Sequence, residues 1–315
     1  MKTATEKVHK ISKGLIAPFK VEQTLVGLGL DEADNVVLKY FGYFLDHVPV
    51  SAACFVHVIP AIYLFDEKNG VDSTMFDSYE LDQDVANEVA KKIATEITDK
   101  HNISVEFDVR DGNPLDELMV KSEAVDADLV VIGKNTKRES HGILARNFAR
   151  KVNCNALFIP DKAKMAMRKI LVPVDFSPNS IEALRTAVAI SKNYKIPPKI
   201  VALNIFEMPA FPAFLLRKSE EDMRQLLMED RKAAFKSFLN TYIPAEDRQQ
   251  ITTDIIEQTH PGIGNYVVEY AGTAKADLIV MGAKGHSKVG LLLLGSVTEK
   301  VLTLVKREAV LVVKQ

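Results

Sequence analysis

The chain has 315 residues, of which 47% are hydrophobic and 26% are charged. This length and composition predict a soluble globular protein with two domain cores. Its 40 basic and 42 acidic residues nearly cancel, so the net charge gives no basis for binding nucleic acid or an anionic membrane.

The N-terminal residues and the two cysteines indicate in which cellular compartment the protein is expected. Residues 1–20 include basic residues but no apolar core of signal-peptide length, and no apolar run is long enough to cross a bilayer. Cys54 and Cys154 are too few and too far apart for a disulfide framework or a zinc site. We therefore expect a reducing cytoplasm, with no nucleic-acid or membrane partner.

In the first half, short apolar runs alternate with helical patterns. A strand-like run at 24–29 precedes a helix on which Val37, Tyr40 and Phe44 share one face. The later strand-like runs are CFVHVI (54–59), ISVEFDVR (103–110), DADLVVIGKN (126–135) and ALFIP (156–160).

The second half repeats this order. TLVGLGLDEADNVVLKYFGYFL (24–45) aligns with RKILVPVDFSPNSIEALRTAVA (168–189), which sets Asp31 opposite Asp175. The matching later runs are VALNIF (201–206), ITTDIIEQ (251–258), KADLIVMGAK (275–284) and AVLVV (309–313). Nearly continuous apolar strands alternating with amphipathic helices predict an α/β fold, with a parallel sheet in each half covered on both faces.

A glycine-studded loop follows the fourth predicted strand of the second half. Gly282 ends that strand, and Gly295 precedes Ser296 at the start of the closing helix. In doubly wound sheets this edge binds ligands, and helix N-termini favour phosphate. Glycines let main-chain N–H groups approach an anion. The alternative is that these glycines only form turns and Ser296 only caps the helix.

Two other phosphate-binding motifs are absent or incomplete in this sequence. The pattern GxxxxGK[ST] does not occur, which argues against a P-loop NTPase. GLGLDE (27–32) opens like GxGxxG, but Glu32 replaces the third small residue and would repel a pyrophosphate.

The loop resembles that of a known family. Gly282-x2-Gly285-x9-Gly295-Ser296 matches the motif G-x2-G-x9-G-[ST] of ATP-binding universal stress proteins, the UspA-like family. VPVDFS (172–177) resembles that family's first strand with its aspartate. The resemblance is strong over 168–315 and weaker over 22–160.

The resemblance implies a tandem architecture. We expect two doubly wound, five-stranded parallel-sheet domains of strand order 3-2-1-4-5, over residues 1–160 and 168–315. The short polar stretch at 161–169 would favour direct packing of the two domains as a pseudo-dimer. Pairing within one chain and formation of a homodimer both remain open.

In this family ATP lies between the ends of strands one and four. Asp175 would be available to an adenine amino group, a ribose hydroxyl or a metal, and the Ile205 backbone would contact the adenine edge. Gly285 and Gly295 would help to hold the phosphates through their main-chain N–H groups. The complete implied cofactor-binding set is Pro173, Val174, Asp175, Ile205, Met281, Gly282, Gly285, Gly295, Ser296 and Val297.

The first half departs from the motif. Thr136 replaces the second glycine, the loop is four residues shorter, and Ile143 replaces the serine. We therefore expect this half not to bind ATP in the family manner, although Asp31 is retained. The basic residues available for another anion are Lys134, Lys137 and Arg138.

The leading functional interpretation is an ATP-binding universal stress protein that acts in stress response as a nucleotide-occupied sensor or adaptor for an unknown protein partner. No catalytic constellation and no metal-ligand spacing occur in the sequence, so we expect at most a weak ATPase. Two alternatives remain open. One is a slow ATPase or nucleotidyl transferase in which Asp175 holds Mg²⁺, and the other is an interaction protein that binds no nucleotide.

Overall fold

The computed structural model describes most of the chain, in seven ranges: 14–60, 63–66, 70–74, 83–136, 139–209, 219–285 and 294–314. The chain divides into two compact units. The N-terminal unit is Lys20–Met165, and the C-terminal unit is Ala166–Gln315 together with the described part of Met1–Phe19.

The N-terminal unit contains a five-stranded parallel sheet in the order β5-β2-β1-β6-β7. A two-stranded antiparallel hairpin, β3–β4, adds to the predicted elements. The elements are β1 (Val21–Leu28), α1 (Ala33–Leu45), β2 (Val50–Pro60), β3 (Tyr63–Asp66), β4 (Gly70–Thr74), α2 (Gln83–Ile93) with a π-helical turn (Ala94–Thr98), β5 (Ser104–Gly112), α3 (Pro114–Ala124), β6 (Leu129–Lys134), α4 (Glu139–Lys151) and β7 (Asn155–Pro160).

The C-terminal unit repeats the topology, with a parallel sheet in the order β10-β9-β8-β11-β12. The predicted α/β class and the strand order 3-2-1-4-5 are confirmed in both units. The elements are β8 (Lys169–Pro173), α5 (Pro178–Ser191), β9 (Lys199–Glu207), α6 (Glu220–Tyr242), a 3-10 turn (Ala245–Gln250), β10 (Ile251–Gln258), α7 (Ile263–Ala274), β11 (Leu278–Gly282), α8 (Ser296–Leu304) and β12 (Ala309–Val313).

The central strands lack alternation because they are buried on both faces. Ile170, Leu171 and Val172 of β8 are fully buried, as is all of β12. Continuous burial is what helices on both sides of a parallel sheet impose.

An aspartate in the repeated A-D-L segment joins the same two strands in each unit. Asp277 Oδ2 accepts hydrogen bonds from the N–H groups of Arg168 (2.8 Å) and Lys169 (3.3 Å) at the start of β8. Asp128 Oδ2 accepts the equivalent pair from Glu22 and Gln23 at 2.9 and 3.0 Å. These bonds hold the first strand of each unit beside the fourth. In the C-terminal unit, the carboxyl ends of these two strands meet at the predicted site.

Residues 14–19 belong to the C-terminal unit, although the sequence predicted a first domain over 1–160. They lie along α5, where Phe19 N–H donates to Ala189 O at 3.0 Å. Lys192 Nζ donates to Ile16 O at 2.8 Å, and Asn193 Nδ2 donates to Phe19 O at 2.8 Å. Composition gave no signal for this placement, because it depends on side chains more than 170 residues away in sequence.

Candidate functional site

All ten residues of the predicted cofactor-binding set line one cavity. It has a volume of about 380 Å³ and lies at the carboxyl ends of β8, β9 and β11, beside the start of α8. Its lining residues are Pro173, Val174, Asp175, Ser180, Leu203, Ile205, Ile263, Met281, Gly282, Lys284, Gly285, Gly295, Ser296, Val297 and Thr298. The structure therefore brings together residues from both ends of the C-terminal unit's sequence, and this volume is in the range of small-molecule sites.

One wall is the edge of β9. The strand β8 ends at Pro173, whereas β9 continues to Glu207. Val174 N–H still donates to Leu203 O at 2.8 Å. Main-chain groups of residues two apart on a strand face the same side, so those of Ile205 are directed past the end of β8. A planar ligand bearing a donor and an acceptor would find both partners there.

A second part of the lining is the first turn of α8. Gly295 is its N-cap residue and provides no side-chain cap, and the first N–H groups of a helix have no acceptor within the helix. The turn Ser296-Val297-Thr298 therefore presents main-chain donors and the positive end of the helix dipole to the cavity. This wall suits an anion.

The expected role of Gly295 needs one correction. Its N–H donates to Ala283 O at 2.8 Å, so this amide is not available to a ligand. The bond joins the start of α8 to the chain leaving β11. Thr298 Oγ1 adds a second link by donating to Gly282 O at 3.0 Å. These two bonds hold the helix N-terminus against the end of the strand.

The glycines of the motif make different contacts. At Gly282, an added Cβ would lie 2.6 Å from Asn179 Cβ and 2.9 Å from Asn179 O, so β11 approaches α5 too closely for a side chain. At Gly285, a Cβ would lie 2.8 Å from Asp175 Oδ2. Gly282 is thus needed for packing, whereas Gly285 leaves room for the aspartate.

Asp175 lies in the turn between β8 and α5. The side chain is exposed, and its Oδ1 accepts from Ser177 N–H at 3.0 Å. Asp175 and Lys284 are the charged residues among the described lining positions. The cavity therefore combines one carboxylate, one ammonium group and the dipole of α8.

Beyond the predicted set of ten, the lining includes Lys284 of the glycine loop and four residues that sequence reasoning missed, Ser180, Leu203, Ile263 and Thr298. Thr298 had a signal, because a residue three positions after an N-cap glycine lies in the first helical turn. The apolar strand end at Leu203 and the helix start at Ile263 carry no distinguishing pattern.

His260 and His286 flank the predicted site in the sequence. His260 does not line the cavity: its ring stacks on Tyr266 with centroids 4.6 Å apart, and its Nδ1 is 2.9 Å from Tyr266 Oη. His286 and Lys288 fall outside the described residues, as does the apolar segment PAFPAFLL (209–216) after Pro209.

The N-terminal unit has a cavity of about 260 Å³ at the equivalent edge. Asp31, Asp34 and His57 are its titratable lining residues, and none of the described lining residues is a lysine or arginine. The pKa of Asp34 is raised, chiefly because burial desolvates its carboxylate and further because Asp31 lies nearby. His57 Nδ1 lies 2.9 Å from Leu28 O. This cavity is lined by two carboxyl groups and no basic side chain among its described residues, whereas the C-terminal cavity favours an anion.

The alternative of an anion held by basic residues gains no support in this unit. Lys134 is buried and does not line the cavity, while Lys137 and Arg138 lie outside the described residues.

Among the described residues, no helix is long and apolar enough to span a membrane. In the same part of the chain, no group of three or more His, Cys, Asp or Glu side chains is placed to hold a metal ion.

Comparison with known proteins agrees with these observations. The model of the universal stress protein family matches residues 167–314. A universal stress protein of Methanocaldococcus jannaschii is 33% identical over 135 residues, which cover 43% of this chain and 75% of that protein.

Solved structures extend the likeness to both units. A universal stress protein from Archaeoglobus fulgidus has a TM-score of 0.61 at 20% identity, covering 93% of this chain and 96% of that one. A protein of unknown function from Pseudomonas aeruginosa has a TM-score of 0.61 at 15% identity, covering 93% and 92%. At these identities the likeness concerns the fold alone, and it shows that the N-terminal half resembles a second domain of the same kind.

Proposed function

This chain belongs to the universal stress protein family, and we propose that its C-terminal cavity binds one ATP molecule and that the protein acts as a nucleotide-occupied sensor or adaptor. The observation that carries the proposal is the pairing of two main-chain surfaces across one cavity. The uncapped first turn of α8 faces it from one side and the edge of β9 from the other.

Each part of ATP has a matching surface. The adenine would lie against Pro173 and Val174 with its edge at the Ile205 main chain, which offers both hydrogen-bonding groups. The ribose would lie over Met281 and Gly282, within reach of Asp175. Phosphates carry negative charge to the α8 dipole, where the residues in contact would be Gly285, Ser296, Val297 and Thr298.

A sensor role fits the cavity better than catalysis does. Asp175 and Lys284 are the titratable side chains among the described lining residues, which include no histidine and no second carboxylate of the kind that a general base pair uses. Mg²⁺, where it accompanies the nucleotide, would be held by the phosphates and Asp175, and it would neutralise phosphate charge. Hydrolysis would then be slow, and occupancy itself would be the signal.

Isothermal titration of the full chain with ATP tests the proposal, with Gly295→Asp as the disrupting variant. Position 295 has an ordinary backbone conformation, with φ −67° and ψ 142°. An aspartate there would cap α8 with its own carboxylate, filling the place of the phosphate. We expect wild type to bind one ATP per chain, and Gly295→Asp to be at least as stable as wild type but not to bind.

The matched control is Gly272→Asp, the same substitution on an exposed face of α7 where an added Cβ meets nothing within 4 Å. It should retain wild-type affinity. Absence of heat and of thermal stabilisation with millimolar ATP in wild type would refute the proposal. Steady ADP release that is lost in Asp175→Ala, with ATP binding retained, would favour the ATPase alternative.

A further inference from the structure

The turn that carries Asp175 contains an unfavourable backbone conformation. Phe176 has φ +62°, in the left-handed region that bulky residues rarely adopt. Asp175 precedes it in the cavity, and Ser177 follows it as the N-cap of α5. A strained conformation at a binding turn persists only where surrounding contacts hold it.

Those contacts come from α6. The Phe176 ring packs edge-to-face on Phe235, with centroids 5.1 Å apart, and on Phe238, at 5.5 Å. Phe235 and Phe238 are 2% and 5% exposed, and they are the buried residues of this 23-residue helix. The two buried residues of the helix therefore pack on the residue next to Asp175.

Asp175 is in turn fixed to the rest of the site. Its Oδ1 accepts from Ser177 N–H, and its Oδ2 lies where a side chain at position 285 would be. A ligand at Gly285 and Asp175 would hold this turn in one position. Because the Phe176 ring extends from the same turn, the position of the turn and the docking of α6 depend on each other.

We propose that Phe176 is a positioning residue that couples occupancy of the C-terminal cavity to the docking of α6. This inference rests on the proposed ATP binding. Coupling is reciprocal, so weaker docking of α6 lowers ligand affinity to the extent that it lowers the population of the docked state.

Hydrogen exchange and ATP titration of the full chain test the coupling, with Phe238→Leu as the central variant. Phe238 lies on α6 and does not line the cavity. In wild type we expect saturating ATP to slow amide exchange over residues 231–242. In Phe238→Leu we expect ATP affinity to fall by about 5- to 20-fold, within the usual range of coupling between sites, and the ATP-dependent protection of α6 to be lost.

Two further variants separate coupling from general loss of stability. Phe238→Tyr keeps the ring and should retain both affinity and protection. Phe148→Leu removes a fully buried ring from the N-terminal unit and should change neither. Wild-type affinity together with wild-type protection in Phe238→Leu would overturn the inference while leaving ATP binding intact. Failure of wild type to bind ATP would overturn both.

Discussion

The close approach of β11 to α5 makes Gly282 the position at which a single methyl group should be most informative. In Gly282→Ala the new Cβ would lie 2.6 Å from Asn179 Cβ, 2.9 Å from Asn179 O and 3.0 Å from Asn179 C. Two of these atoms belong to the backbone of the first turn of α5, so a side-chain rotation cannot relieve the overlap. The strand and the helix would have to separate by roughly 0.8 Å, and overpacking of this kind costs about 1–3 kcal/mol.

Urea unfolding followed by circular dichroism measures this cost. With a slope of about 2 kcal/mol per molar urea, the unfolding midpoint of the C-terminal unit should fall by about 0.5–1.5 M. The matched control is Gly272→Ala on α7, where an added Cβ meets nothing within 4 Å. There the same substitution should stabilise the helix by about 0.5–1 kcal/mol.

The opposite signs of the two alanine variants are the decisive result. A Gly282→Ala midpoint equal to or above that of wild type would refute the packing argument. A fall of equal size in Gly272→Ala would show that the loss is not specific to the contact between β11 and α5.

Three further outcomes are expected. Cys54 is fully buried, and burial raises the pKa of its thiol to about 11, so a thiol reagent at pH 8 should modify only the half-buried Cys154 before unfolding; rapid modification of two thiols would contradict this. Because the pKa of Asp34 is raised in the folded protein, its ionised carboxylate lowers the free energy of unfolding at pH values above that pKa. Below the ordinary aspartate pKa of about 3.9, the carboxyl is protonated in the folded and unfolded states alike and has no such effect. Asp34→Asn should therefore be more stable than wild type at pH 7 and equal to it at pH 3, and an equal gain at both would exclude this cause. Because the N-terminal cavity is lined by carboxylates, equilibrium dialysis should find one ATP per chain, and a value near two would contradict the asymmetry between the units.

The fold was predictable because its signals are local. The alternation of apolar runs with helical patterns repeats in both halves, and each predicted strand corresponds to a strand of the sheet. The hairpin β3–β4 was missed although β3 lies in the apolar run AIYLF (61–65), because that run directly follows the second strand and the sequence of β4, GVDST, has no apolar run. Residues 14–19 were assigned to the first half because sequence order is a natural guide, whereas hydrogen bonds to α5 determine their place.

The sequence predicted which residues line the candidate cavity but not which contacts each residue makes. All ten residues of the predicted set line one cavity, since the glycine spacing and the strand ends determine which positions meet at the sheet edge. Which atoms face a ligand was not in the pattern: the Gly295 N–H is used by Ala283 O. The pattern also did not show that the Thr298 hydroxyl donates to Gly282 O, a bond that holds the start of α8 against the end of β11.

The sequence by itself determined a duplicated α/β unit and a glycine loop at the end of a fourth strand, because hydrophobic period and residue spacing are properties of neighbours along the chain. Only the tertiary structure decided the contacts between distant segments. Asn179 against Gly282 is one such contact, and Phe176 against Phe235 is another. Main-chain groups are alike in every residue, so the sequence cannot say which remain open to a ligand. That depends on where each strand ends and which partner it meets.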